Sequence, residues 1–327
     1  MHSLLKNKKT IALMVAPGMI LFLFAVIVPI IMSVYLGMTD WSGIGDYNFV
    51  GLKNYKTLLT DDPAFVRSIL NALTLAVALI VIQHPLGLCF AILLDYIGGR
   101  LEKIFRAIFF IPCVVSVMVV SKLWVAILNP TFGLVNNLLD ITGFGALAHN
   151  WLSDPKTAMP SLIVILMYQG LGWCLLYYYA GIKGISGEMY EAARIDGCGF
   201  VKMQIKITIP MLKPVLRVNL TLAVISALKQ METVFLTTRG GPGNQTQFLA
   251  NYLYKRAFDN YEYGYGNAIA ALFVIICFVA TYAMRYLIPS EELQEKRERR
   301  RHAKRNENAK RNEHTKRNEN AERNEND

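Results

Sequence analysis

The chain has 327 residues, 54% of them hydrophobic, and a formal net charge of +10. Its last 37 residues hold 12 Lys/Arg and 10 Asp/Glu, which leaves only 22 basic and 14 acidic residues in the first 290. That is about half the usual charged share of roughly 25%; it excludes a disordered chain, a secreted disulfide scaffold and a cytosolic enzyme, and points to the bilayer.

Residues 1–10 form a basic N-terminus with Lys6, Lys8 and Lys9. A spanning helix needs about 20 apolar residues to cross a hydrocarbon core of about 30 Å. Six stretches reach that length: 11–36, 68–94, 104–128, 160–182, 215–236 and 266–288. The first is read as an uncleaved span. Its apolar run of about 26 residues exceeds the 7–15 of a signal core, and no Ala-x-Ala site ends it. Lys and Arg in the short connections set orientation. The set comprising the N-terminus, 95–103 and 183–214 holds 10 of them, against 7 in the alternate connections. Both termini are therefore expected in the cytoplasm, and the fold class is an all-α membrane protein with six spans.

Cys89, Cys113, Cys174, Cys198 and Cys277 form no CxxC pair, so neither a disulfide nor a metal site is expected. His84, in an apolar run, reads as a hydrogen-bonded packing residue. No acid/base or metal constellation of a membrane enzyme stands in the spans, so no catalytic residue is expected. Nor do inverted repeats with interrupted helices, the mark of many ion-coupled secondary carriers, stand out.

The fourth stretch carries Gln169, Trp173 and Tyr177 at steps of four. The fifth carries Asn219, Ser226, Gln230, Thr233 and Thr237 at steps of 7, 4, 3 and 4, one face of a continuous helix. At 1.5 Å per residue, Tyr168 and Gln230 both lie about 12 Å below the outer surface. Polar groups at one depth on facing spans are what a solute site requires, because such groups are costly in lipid and turn inward. Lys229 and Glu232, three apart, read as a structural or gating pair along that helix.

The connection 183–214 has a helical pattern of its own. Ser186 can cap a first helix, with Glu188 in the turn where the dipole favours an anion. Gly197 can stop that helix at positive φ. A second helix fits 200–207, ended by Pro210 and Pro214. Ala192, Ala193 and Gly197 allow another backbone to come close, and Glu191, Arg194 and Asp196 supply charge around the contact. Beyond the last span, 289–327 is a tail of six-residue repeats (AKRNEN, AKRNEH, TKRNEN, AERNEN). It has almost nothing apolar to bury and is expected to be disordered.

The run Glu191-Ala-Ala-Arg-Ile-Asp-Gly197, nine residues, then Ile207-Thr-Ile-Pro210 resembles the EAA loop of ABC importer permeases. Ile209 stands where that pattern has Leu. Four further segments resemble the carbohydrate-uptake branch, of maltose and glycerol-phosphate type: 13–41 ending in Thr-Asp-Trp, FVGLKNY at 49–55, WVAILNPTFGLVN at 124–136 and LTTRGGPGNQT at 236–246. The resemblance runs from about residue 10 to 288. It implies a type I ABC importer permease fold, with the EAA coupling loop at 186–214, that moves a sugar or oligosaccharide by alternating access. It implies two separate ATPase subunits, a second homologous permease subunit and an extracytoplasmic solute-binding protein. ATP and magnesium would belong to the ATPases, since this chain has no G-x-x-x-x-G-K-[ST] phosphate loop and is expected to bind no cofactor. Its remaining partner is the lipid bilayer of a bacterial inner membrane; no nucleic acid is implied. By position, Glu191, Ala192, Ala193, Asp196, Gly197 and Pro210 fall in the ATPase-coupling loop. The solute ligands of the maltose type fall by position near Tyr168, Gly170, Trp173, Ser226, Ala227 and Gln230, and Gln169 joins them by its helical spacing. The alternatives are an ion-coupled secondary carrier and an ABC importer for a solute other than sugar.

Overall fold

The computed structural model describes residues 8–287. Among these residues the only extended pairing is one isolated bridge, Thr39 to Phe49; the rest of the regular structure is helical. In chain order the helices are α1 (Lys9–Leu36), α2 (Lys53–Thr60), α3 (Pro63–Ile97), α4 (Gly99–Val114), α5 (Val117–Ile127), α6 (Leu134–Ile141), α7 (Ala158–Lys183), α8 (Gly187–Ile195), α9 (Phe200–Met211), α10 (Lys213–Leu228), α11 (Glu232–Thr237), α12 (Leu249–Tyr254) and α13 (Tyr263–Leu287). Four of them, α1, α3, α7 and α13, are long and apolar enough to cross a membrane alone. The number rises to six if each of two bent pairs is one span.

Those bends correct the simple reading of the sequence. The stretch 104–128 is not one rod: α4 and α5 meet at 97° across Val115, which is extended, and Ser116. α9 and α10 meet at 69°. The stretch 215–236 also breaks internally, because α10 ends at Leu228 and α11 starts at Glu232. In lipid a backbone break is tolerated where it is covered by protein or lines a cavity.

Proline accounts for a second irregularity. A proline inside a helix cannot donate to the carbonyl four residues back, and its ring crowds that carbonyl. Three of the four π turns among the described residues, Leu23–Ile27, Leu79–Gln83 and Gln204–Thr208, each end two residues before a proline, Pro29, Pro85 and Pro210; the fourth, Lys255–Asp259, does not. Pro210 therefore widens α9 rather than ending it.

The core forms around α7, which packs against α4 and against the second half of α3. Ala91, Leu94, Cys174, Leu175, Tyr178, Ile182 and Leu212 close into one buried cluster. Glycine allows this approach: a Cβ on Gly172 would overlap the Phe109 carbonyl, and one on Gly87 would press on Cys174 Sγ. α10 and α12 pack on the first half of α3, and α11 packs on α5. α1 is different. None of its most apolar stretch is buried, which suits a helix solvated by acyl chains. Near its end the Tyr55 hydroxyl donates to Val34 O at 3.0 Å, and just beyond it Gly264 N donates to Trp41 O at 2.8 Å. Lys6 and the repeat tail lie outside the described residues.

Candidate functional site

A cavity of about 750 Å³ opens where α3, α7, α10 and the Lys229–Met231 break converge. Gln169, Gly170, Trp173, Ser226 and Gln230 line it, together with Tyr177, Asn219 and Thr233. Tyr168 does not line it; its ring packs edge-on against Trp124 at 5.4 Å. Ala227 is fully buried in the packing behind it. Gly170 works through space. A Cβ there would come within 3.1 Å of the Gln83 amide, so the glycine leaves room for that side chain. Trp173 packs edge-on against Phe110 and is half exposed. Cys113 Sγ donates to Gln169 O at 3.0 Å and ties α4 to α7 at this depth.

The break changes the role of the two charges beside it. Lys229 caps the end of α10 and Glu232 begins α11, so they do not form a pair along one continuous helix. No ion pair joins them among the described residues, and both line the cavity. Gln83 and His84 also line it. Reading the sequence for polar groups on the fourth and fifth spans overlooked these two residues of the second span. The signal was there: two adjacent polar side chains directly before Pro85. No group of three or more metal-ligating side chains occurs among the described residues.

A second region surrounds the hairpin of α8 and α9. In α8, Glu188 lies in the first turn and Arg194 in the last, each complementing the helix dipole. Ser186 precedes the helix, but its side chain makes no capping bond. Gly197 takes φ +71°, and the N–H of Cys198 closes the helix end on Ala193 O at 2.9 Å, the glycine stop expected of such a turn. The Tyr190 hydroxyl lies 3.1 Å from Thr208 Oγ1, joining α8 to α9, and Phe200 packs edge-on against Tyr96 of α3. Ala193 is buried within the hairpin, whereas Glu191, Ala192, Asp196 and Gly197 face outward. Ile195, which the motif does not include, is 87% exposed at the tip. An opening of about 570 Å³ under the hairpin is lined by Asp95, Tyr190, Glu191, Arg194, Phe200 and Gln204. Above it, Lys183 Nζ pairs with Asp95 at 2.7 Å and the Tyr179 hydroxyl donates to Glu102 at 2.7 Å. The Tyr179 ring also faces two cations, Arg106 at 5.4 Å and Lys183 at 5.3 Å.

At the other end of α3, Asp62 gathers three elements. Its Oδ1 caps α3 by accepting from Phe65 N at 3.0 Å, and its Oδ2 accepts the hydroxyls of Tyr252 and Tyr265. Burial pushes the Asp62 carboxyl up. The bonds from Tyr252, Tyr265 and Phe65 N, with the Arg256 charge, outweigh that and hold it below the usual carboxylate range. Burial, then the bond to Asp62, raises the Tyr252 phenol. Arg256 lies over the Tyr265 ring at 4.2 Å, and its Nε is 2.8 Å from Glu262 Oε2 in an ion pair that is too bent for a hydrogen bond.

The model of the family described as binding-protein-dependent transport system inner membrane component matches residues 83–292. A probable ABC transporter permease of Pyrococcus horikoshii is 38% identical over 278 residues, covering 84% of this chain and 94% of that one. The diacetylchitobiose uptake system permease of Streptomyces coelicolor is 31% identical over 274 residues, covering 79% and 76%. Among solved structures, a chain of a bacterial alginate ABC transporter, crystallised with its alginate pentasaccharide-bound periplasmic protein, superposes with a TM-score of 0.74. It is 23% identical and covers 85% of this chain and 93% of that one, a likeness of fold. The chain is thus a multi-pass membrane protein and belongs to the family of binding-protein-dependent transport system inner membrane components, the permeases of ABC transporters.

Proposed function

We propose that this chain is one transmembrane subunit of an ATP-driven importer for a sugar or oligosaccharide, with six spans and both termini in the cytoplasm. The cavity carries this reading. Amides from Gln169, Gln230 and Asn219, the Ser226 hydroxyl and the exposed Trp173 ring converge there. Amides and hydroxyls match ring hydroxyls, and an indole face suits the apolar side of a pyranose. The solutes named for similar permeases support it: diacetylchitobiose, starch degradation products, xylose and arabinose, and arabinooligosaccharides. In this scheme an extracytoplasmic binding protein delivers the solute, and a second, homologous permease completes the pathway. Two ATPase subunits, which hold the ATP and magnesium, dock on the hairpin through Glu191, Ala192, Asp196, Gly197 and Ile195. Ala193 and Pro210 shape the hairpin from within.

Reconstitution tests this. Vesicles holding the chain alone should not accumulate saccharide. Adding the sister permease, the ATPase and the binding protein should start ATP-dependent uptake. Uptake by the chain alone, driven by an ion gradient, would replace this reading with a secondary carrier.

A further inference from the structure

The second span reaches the cavity through a π turn, Leu79–Gln83, followed directly by His84. Single π turns in α-helices recur at functional sites. Gln83 and His84 line the cavity and are 6% and 3% exposed. Each keeps one buried side-chain atom without a hydrogen-bond partner, Gln83 Oε1 and His84 Nε2. Buried polar atoms are nearly always paired, and leaving one unpaired is costly. Two on adjacent residues of one cavity wall call for a partner.

The surroundings also fix the His84 tautomer. The Tyr178 hydroxyl lies 2.7 Å from His84 Nδ1, and Cys174 Sγ lies 3.3 Å from the same atom. Cys174 Sγ also lies 3.9 Å from Gln83 O, which can take the thiol proton, whereas the buried Tyr178 hydroxyl proton has no other acceptor recorded among the described residues. With the Tyr178 hydroxyl donating to its one lone pair, Nδ1 is unprotonated and the ring proton sits on Nε2. The wall therefore offers one unused donor, Nε2–H, and one unused acceptor, Gln83 Oε1. A hydroxyl can accept and donate, so a polyhydroxylated solute complements this pair, whereas an apolar or purely anionic one does not.

We propose that Gln83 and His84 are solute-binding residues that select for hydroxyl-rich solutes, reached as the cavity walls part during transport, with Tyr178 as the positioning residue that holds the His84 tautomer. This rests on the sugar-import reading above.

The test uses the complete transporter in proteoliposomes, with a panel of radiolabelled di- and trisaccharides of glucose, N-acetylglucosamine, arabinose and xylose. Glutamine can place its amide nitrogen near the position of Nε2, whereas asparagine reaches only the position of Nδ1. His84→Gln should keep the uptake KM within about threefold of the unmodified protein. His84→Asn should raise it tenfold or more, with binding-protein-stimulated ATPase activity at saturation within twofold. Equal KM values for the two variants, or better function of His84→Asn, would assign His84 to packing alone and overturn the inference. If neither variant assembles, nitrogen-15 NMR of histidine-labelled unmodified complex decides, with His2, His149, His302 and His314 replaced by Gln for assignment. The His84 Nε2 resonance should show an attached proton and shift on adding the transported saccharide; an unmoved signal overturns the proposal. If the unmodified complex transports no saccharide of the panel, the sugar reading itself fails and this inference falls with it.

Discussion

The carboxylate of Asp62 accepts the hydroxyl of Tyr252 at 2.6 Å across 190 residues of sequence. With Tyr265 on the same oxygen, it ties the first turn of α3 to α12 and to the start of α13. Asp62→Ala removes a helix cap, worth about 1 kcal/mol, and leaves two tyrosine hydroxyls without their charged acceptor, at about 1.5–3 kcal/mol each for bonds to a charged group. We expect a loss of roughly 3–5 kcal/mol, since such terms are not fully additive. It should be seen as a lower unfolding temperature of the solubilised protein.

Acid should act through the same residue. The folded carboxyl is held below its unfolded value of about 3.9 by the hydrogen bonds and the Arg256 charge, which outweigh burial. Its contribution is present above that unfolded value and is lost as pH falls through the folded one. Unfolding temperature followed from pH 6 down to pH 3 should therefore drop more steeply for the unmodified protein than for Asp62→Asn. Parallel curves would mean that the carboxylate charge contributes nothing.

The loop after α11 depends on one glycine more than on its neighbour. Gly240 sits at φ +86°, and an added Cβ would overlap Gln247 Oε1, whose side chain is fully buried. Gly243, at φ +53°, faces open space. Gly243→Ala should cost only the left-handed backbone strain, about 1–2 kcal/mol. Gly240→Ala should cost about 1–3 kcal/mol more, because the buried Gln247 must move. Comparing the two unfolding temperatures separates strain from clash.

Around Tyr179 the expected order is also specific. Tyr179→Phe removes one hydrogen bond to Glu102 and should cost about 1–2 kcal/mol. Glu102→Ala strips that acceptor and the Arg106 partner at 3.3 Å. It should cost about 2–3 kcal/mol, because Glu102 is largely buried and its partners lose a charge. Unfolding of both single variants and the double variant gives the coupling directly, and fully additive losses would contradict a shared network.

Hydrophobic length made the long helices legible, because the bilayer fixes how many apolar residues a span needs. The bends were not. Val114-Val115-Ser116-Val117 breaks its apolar run with a single serine, and Pro112 sits inside α4 rather than at the turn, so neither residue marks the place of the 97° bend between α4 and α5. The break at Lys229–Met231 did leave a mark, in two charges in mid-span. Taking the helix as continuous turned that mark into a pairing which the chain does not make. Spacing placed Gln169 and Trp173 on one face of α7 and Ser226 on α10 because those helices are regular there, whereas Gln230 lines the same cavity from the break itself. Gln83 and His84 escaped because a π turn changes which face a residue occupies. In the hairpin, the glycine stop at 197 was legible from residue type, but the exposure of Ile195 was not, since it depends on which face α9 covers.

Docking of an ATPase subunit on the hairpin of α8 and α9 is the central proposal, and a crosslink tests it most directly. Glu191→Cys, in a chain whose five native cysteines are replaced, should form a disulfide with a cysteine placed in the surface of the ATPase subunit that meets the hairpin. Uptake should stop on oxidation and return on reduction. A complex that is active in saccharide uptake, yet yields no such crosslink from Glu191→Cys or Gly197→Cys to any ATPase position tried, would contradict it.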